Sequence, residues 1–287
     1  MKVIVTGGAG FVGTNLVKRL LLDGHKVISL DNYSTGKTTN EVEHKRVQYF
    51  DVELSEVRDY DTIVDDVDVI FHIGALARIQ PSLTDPLPHI KNNFISTLNI
   101  LDYARVKNIP VVYAGSSSFH HGLYESPYAW SKWSGEELCK LYSNVYDLKT
   151  SICRFYNVYG PHQLEDGDYS TVIGIFERQY RNGETLTITA DGQQRRDFTH
   201  VEDIVDGLVR CASGDFKAEF FELGTGTNYS INEVADLFGK DYPKKYLPAR
   251  RGEYDVTLAD YSKAELKLGW KPTKNLEEYI KGVLWRK

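Results

Sequence analysis

A glycine-rich octapeptide, Thr6-Gly7-Gly8-Ala9-Gly10-Phe11-Val12-Gly13, constrains this chain more than any other feature. The apolar run 3–5 before it reads as a strand. Residues 11–23 after it carry Phe11, Leu16, Leu20 and Leu21 at helical spacing. Such a turn lets backbone approach a pyrophosphate closely, and the helix N-terminus beyond offers unpaired N–H groups and a partial positive charge. Asp31, closing the next apolar run at 27–30, completes the pattern.

The pattern predicts a bound dinucleotide. The Asp31 carboxylate is placed to accept hydrogen bonds from the adenosine ribose and would repel the extra phosphate of NADP, so the cofactor is expected to be NAD. Gly7, Gly10, Phe11, Val12 and Gly13 form the expected cradle. Asp51 and Val52, after the run 47–50, are expected near the adenine amine.

Strand and helix patterns alternate through the first half. Further strands are expected at 69–73, 111–114 and Thr150–Phe155, with helices around 85–107 and 128–146. Alternation of this kind implies right-handed crossovers and a Rossmann-type, doubly wound parallel α/β sheet. Beyond Gly160-Pro161, helices are expected at about 171–182, 201–212, 230–238 and 276–285, and short strands near 186–189 and 219–223. Ser230 and Glu233 read as a capping box. The organisation expected is a dinucleotide domain at 1–160 and a smaller α/β substrate domain at 161–287, with parts of 195–225 returning to the first.

Composition excludes several classes. A net charge of −6 argues against nucleic acid or an anionic membrane as partner, because both favour basic surfaces. No uncharged apolar run approaches the ~18 residues needed to span a bilayer. Cys139, Cys153 and Cys211 lack metal or redox spacing, and with no leader pattern the expected compartment is the cytoplasm.

A second constellation lies at Ser126-Pro127-Tyr128-Ala129-Trp130-Ser131-Lys132, where proline marks a helix start. Tyr128 and Lys132 are four apart and share one helical face. A free phenol, with a pKa of about 10, is a poor base at neutral pH, but a neighbouring ammonium favours its ionised form. Ser116-Ser117-Ser118 ends the strand at 111–114, where open α/β sheets bind ligands. A hydroxyl there could orient a substrate for proton removal by Tyr128.

These motifs together resemble the extended short-chain dehydrogenase/reductase family, in particular its nucleotide-sugar epimerases of the UDP-glucose and UDP-N-acetylglucosamine 4-epimerase type. The resemblance continues through Phe71-His72-Ile73-Gly74-Ala75, Arg154-Phe155-Tyr156-Asn157-Val158-Tyr159-Gly160-Pro161, Arg195-Arg196-Asp197-Phe198-Thr199-His200-Val201-Glu202-Asp203, Leu223-Gly224-Thr225-Gly226 and Arg250-Arg251-Gly252-Glu253. It implies an NAD-dependent 4-epimerase acting through a transient 4-keto sugar. Tyr128 would be the base, and Lys132 would lower its pKa and hold the nicotinamide ribose. Asn32 and Ala75 would join the cofactor site; Asn157, Arg196 and Arg250 would contact the diphosphate of a nucleotide sugar, UDP-linked by family default. It also implies a homodimer built on the helices around 85–107 and 128–146.

One segment departs from the family pattern. Phe119-His120-His121-Gly122 follows the serines, and the loop before Tyr128 is short. Matching from the strand makes Ser116 the catalytic hydroxyl; matching from Gly122 makes it Ser117. The shortened loop is expected to open one side of the sugar pocket. His120 and His121 read as loop histidines, and no metal is expected. Related dehydratases and decarboxylases place an acid just after the hydroxyl; here Ser117, Ser118 or Phe119 stands there, which favours epimerisation over elimination. A dehydratase, decarboxylase or reductase is the alternative within enzymes, and a non-catalytic dinucleotide binder the alternative outside them.

Overall fold

The structure is a computed structural model describing residues 1–61, 63–120 and 122–285. The first half runs β1 (Lys2–Thr6), α1 (Phe11–Leu22), β2 (Lys26–Asp31), β3 (Val47–Asp51), β4 (Val69–His72), α2 (Ile79–Thr84), α3 (Pro86–Ile90), α4 (Ser96–Lys107), β5 (Val111–Ser116), α5 (Pro127–Tyr146) and β6 (Thr150–Phe155). The second half continues with β7 (Val158–Tyr159), α6 (Val172–Arg181), β8 (Leu186–Thr189), β9 (Arg195–Asp197), β10 (Thr199–His200), α7 (Val201–Ala212) and β11 (Lys217–Leu223). It ends with β12 (Asn228–Ser230), α8 (Ile231–Leu237), β13 (Lys244–Leu247), α9 (Ser262–Leu268) and α10 (Leu276–Leu284).

Seven strands form one parallel sheet in the order β11-β6-β5-β4-β1-β2-β3. This is the doubly wound α/β architecture. Strand order reverses between β1 and β4, where a ligand crevice opens beyond the carboxyl ends. Register pairs Thr6 with His72 at that point.

Alternation along β1 explains why both faces are covered. Val3 and Val5 pack with Leu16, Leu20, Phe71, Ile204 and Trp270, while Ile4 joins Ile28, Ile70, Ile100, Tyr113 and Ile152 on the other face. Each fully buried apolar side chain of this size contributes about 1.5–3 kcal/mol. α7, β11, α9 and Trp270 all rejoin this body, and the Trp270 indole donates to the Asp203 carbonyl at 2.8 Å. A separate core of Phe176, Ile188, Phe198, Val234, Phe238 and Ile280 holds the smaller body, which closes the crevice from one side.

The helix expected over 85–107 is not continuous. A π turn at Lys91–Ile95 separates α3 from α4. Within it, the Asn93 side chain accepts from Leu76 N (2.8 Å) and donates to Leu76 O and Ser131 Oγ (3.1 and 3.0 Å), tying the loop after β4 to α5. The Ser230/Glu233 capping box is present.

Candidate active site

The glycine turn has no room for side chains. Gly7 adopts φ +70°, and a Cβ there would come within 2.7 Å of Gly74 Cα. A Cβ on Gly13 would lie 1.9 Å from the Gly7 carbonyl oxygen. Thr6 Oγ1 accepts from Ile73 N and Gly74 N (3.1 and 2.9 Å) and bonds His72 Nδ1, locking the turn to the end of β4. Gly10 caps α1 without a side chain, so the first-turn N–H groups meet no side-chain acceptor. Gly7, Gly10, Phe11, Val12 and Gly13 all line one cavity of about 770 Å³. This cradle fits a dinucleotide pyrophosphate.

Asp31 closes one end of the cavity. Its carboxylate accepts from Ala9 N (2.9 Å) and Tyr33 N (2.8 Å); burial raises its pKa, and these N–H bonds act against the rise. Asn32, Val52 and Ala75 line the cavity too, with Asn32 bonded to Glu53 at 2.8 Å. Asp51 does not reach it: although in register with Asp31, it is exposed on the edge strand and lies off the lining. Ser34, Thr35 and Glu53 line the wall instead, from loops with no periodic sequence signal.

Beside the end of β5, Ser126 Oγ caps α5 by accepting from Ala129 N (3.1 Å). The cap sets the first turn so that Tyr128 Oη donates to Ser116 Oγ at 3.3 Å. Ser118 N and Oγ both donate to Ser116 Oγ (3.2 and 2.9 Å), fixing that hydroxyl at the end of β5. Between the two alignments, the hydroxyl beside the phenol is Ser116; Ser117 lines the cavity as well. Burial raises the Tyr128 pKa, while the Ser116 bond and the Arg78 guanidinium lower it.

Lys132 lies differently from the expectation. It is buried, its ammonium sits 4.4 Å from the Tyr113 ring centroid, and it is not part of the cavity lining. Helical spacing places it on the face of Tyr128, but the Tyr113 ring and Glu136, one turn on, draw the charge inward. Burial lowers its pKa to about 8, and Glu136 opposes that.

The opposite wall gathers the predicted phosphate ligands. Asn157, Arg196 and Arg250 all line the cavity, with Arg250 exposed at the mouth. Asn157 Nδ2 already donates to Asp197 O (3.0 Å) and Thr257 Oγ1 (2.9 Å), leaving its carbonyl oxygen for other work. Arg195 turns away to Asn228 and Glu233.

Arg78 and Tyr254 are among the lining residues missing from the sequence reading. Arg78 follows a family motif and Tyr254 follows Arg250-Arg251-Gly252-Glu253, but nothing in their spacing aims them inward. The segment holding Tyr254 packs beside α2 and the short loop. Gln80 Nε2 donates to Arg251 O (2.7 Å), and a Cβ on Gly252 would lie 3.1 Å from Ile79 and 3.7 Å from the Glu125 carbonyl.

His120 bonds Glu222, and His121 lies outside the described residues. Among the described residues, no cluster of three or more His, Cys, Asp or Glu could hold a metal ion. No described helix is long and apolar enough to cross a membrane.

A pyrophosphate cradle and a phenol–serine pair opening on one cavity, at the switch point of a parallel sheet, define a dinucleotide-dependent enzyme that works on a carbinol. The sequence matches the NAD dependent epimerase/dehydratase family over residues 3–224, and the chain belongs to that family. It is an NAD-dependent enzyme. The UDP-glucose 4-epimerase of Mycolicibacterium smegmatis is 32% identical over 302 residues, covering 98% of this chain and 96% of the relative. The crystal structure of UDP-glucose 4-epimerase from Thermotoga maritima with UDP-glucose superposes with a TM-score of 0.93 at 30% identity, covering 99% of this chain and 98% of that one. UDP-glucuronic acid 4-epimerase from Bacillus cereus, in complex with UDP-glucuronic acid and NAD, gives 0.90 at 28% identity with full coverage of both (100% and 100%).

Proposed function

We propose that this enzyme inverts C4 of a UDP-linked hexose through a transient 4-keto sugar. The observation that carries the reading is the Tyr128–Ser116 hydrogen bond of 3.3 Å, set where the cavity meets the end of β5. Bound NAD supplies a reversible hydride acceptor for the sugar carbon. Tyr128 takes the proton of the sugar hydroxyl and later returns one. Ser116, held by Ser118, orients that hydroxyl. Arg196 and Arg250 suit the diphosphate because a guanidinium fork pairs bidentately with phosphate oxygens. The turn Ser117–His120 after Ser116 carries no carboxylate for proton exchange at neighbouring carbons, which favours epimerisation over elimination.

The test incubates the purified enzyme and NAD with UDP-glucose, UDP-N-acetylglucosamine and UDP-glucuronic acid, separating product sugars. Interconversion of a C4 pair is expected, and Tyr128→Phe should reduce it about 100- to 10,000-fold while NAD stays bound. A deoxy-keto or pentose product, or no conversion across the panel, rejects the reading.

We also infer a homodimer. Leu87, Val106, Leu141, Val145 and Tyr146, on or beside α4 and α5, are 49–77% exposed and offer an apolar surface. Sedimentation giving only monomer rejects this. A reducing cytoplasm suits the free, buried Cys153 and Cys211 thiols, 3.4 Å apart and unlinked.

A further inference from the structure

The Phe119-His120 departure after the serines has a structural counterpart. The turn Ser117–His120 leaves the end of β5, and its last two side chains dock on the next strands of the sheet. The Phe119 ring centroid lies 3.5 Å from the Arg154 guanidinium of β6. His120 Nε2 reaches past β6 and bonds Glu222 Oε1 on β11, 102 residues on in the chain.

Glu222 is a fixed anchor. It is buried, and its Oε2 accepts from Tyr156 Oη (2.8 Å) and Asp260 N (3.0 Å), while Arg154 Nη1 stands 3.8 Å from Oε1. Burial acts to raise its pKa, but the bonds from His120, Asp260 N and Tyr156 outweigh it and hold the carboxyl below its usual range. His120 Nε2 therefore donates to an anion, and a charge-assisted bond is about twice as strong as a neutral one. At the near end of the same turn, Ser118 N and Oγ donate to Ser116 Oγ (3.2 and 2.9 Å), which also accepts from Tyr128 Oη at 3.3 Å. A single 3₁₀ turn has little stability of its own, because its hydrogen bonds are poorly aligned. Its position is set by what holds its two ends.

We propose that His120 and Glu222 are a positioning pair, clamping the turn after β5 so that Ser118 keeps the Ser116 hydroxyl against Tyr128. This rests on Ser116 orienting the sugar hydroxyl. Neither clamp residue lines the cavity, so the pair acts through the turn and not on the sugar.

The experiment uses the NAD-loaded enzyme. His120→Leu removes the donor at an exposed site and leaves Glu222 with Tyr156, Asp260 N and Arg154, so the core is kept. His120→Gln returns an N–H donor. Amide exchange over residues 116–120, read by mass spectrometry, should quicken about tenfold or more in His120→Leu, as expected for losing a bond to a charged group. It should return towards wild type in His120→Gln. With the UDP-sugar that is converted, kcat should fall about 10- to 100-fold in His120→Leu at unchanged KM and NAD affinity, with most of it recovered in His120→Gln. Combining His120→Leu with Glu222→Gln should cost no more than the larger single loss, since both break one contact.

Unaltered exchange in His120→Leu, a kcat loss matched by weaker NAD binding, no recovery in His120→Gln, or additive losses in the double variant overturns the proposal. The exchange measurement needs no sugar. A wild type that converts nothing, yet shows the His120-dependent exchange, would reject the proposed activity and support the clamp; normal conversion with unaltered exchange would reject the clamp alone.

Discussion

Lys132 lies against Tyr113, with its ammonium 4.4 Å from the ring centroid and the Tyr113 hydroxyl donating to the Lys132 carbonyl at 3.2 Å. A desolvated cation over an aromatic face gains about 2 kcal/mol, enough to decide between two directions open to a long flexible side chain. The contact also explains a glycine in mid-helix: a Cβ at Gly135 would lie 2.1 Å from the Tyr113 hydroxyl.

Gly13→Ala is expected to abolish NAD binding, because its Cβ would lie 1.9 Å from a backbone carbonyl oxygen that cannot withdraw without opening the turn. Calorimetric titration with NAD and a thermal melt check this. Retained affinity would mean that the turn is looser than its contacts imply.

Asp31→Asn keeps the side-chain shape and removes the charge. One of the two N–H bonds from Ala9 and Tyr33 then meets an amide NH₂ in place of an oxygen. NAD affinity should fall about 10- to 100-fold, as expected for losing a charge-assisted bond. Discrimination against NADP should shrink, because repulsion of the extra phosphate is gone. Parallel titrations with both dinucleotides read the ratio; an unchanged ratio rejects the role.

His72 should make the fold acid-sensitive. It is buried between Thr6 and Thr97, bonded to each at 2.9 Å, and burial lowers its pKa to about 3. Its folded pKa lies below the unfolded value of about 6.5, so its contribution is complete above that pH and is lost as pH falls towards the folded pKa. Between about pH 6.5 and 5 this residue alone should remove about 2 kcal/mol of stability. Denaturant unfolding of wild type and His72→Gln at the two pH values should show a smaller loss in the variant; equal losses refute the assignment.

Arg154→Met should cost about 3–5 kcal/mol, since it removes the ion-pair partner of the buried Glu136 carboxylate. Arg154 bonds Glu136 at 2.7 Å, reaches Glu222 at 3.8 Å, and lies 3.5 Å from the Phe119 ring centroid and 4.3 Å from that of Phe220. Arg154→Lys should recover little, lacking both the fork and the flat stacking surface. Denaturant midpoints of the two variants measure this.

The site was legible where function depends on neighbours in sequence. The cradle at Gly7–Gly13, Asp31 at the end of β2 and the α5 start at Pro127 each follow from a local pattern. Ser116 was one of two candidates, and only the hydrogen bond from Tyr128 separates it from Ser117. Asp51 was placed in the cofactor wall because it follows an apolar run, but a run says nothing about which strand will be the sheet edge.

The order of strands, helices and glycines by itself determined a doubly wound parallel sheet with a dinucleotide turn, because hydrogen bonding and burial impose fixed periods on nearby residues. Packing alone decided where Arg78 is anchored, what lies beside the short loop and where Lys132 points. Those outcomes join Arg78 to Tyr169 and Ser170, Gln80 to Arg251 and Lys132 to Tyr113, contacts between residues far apart in the chain. A long side chain chooses its direction from the charges and rings that folding brings to it, and no local spacing encodes that choice.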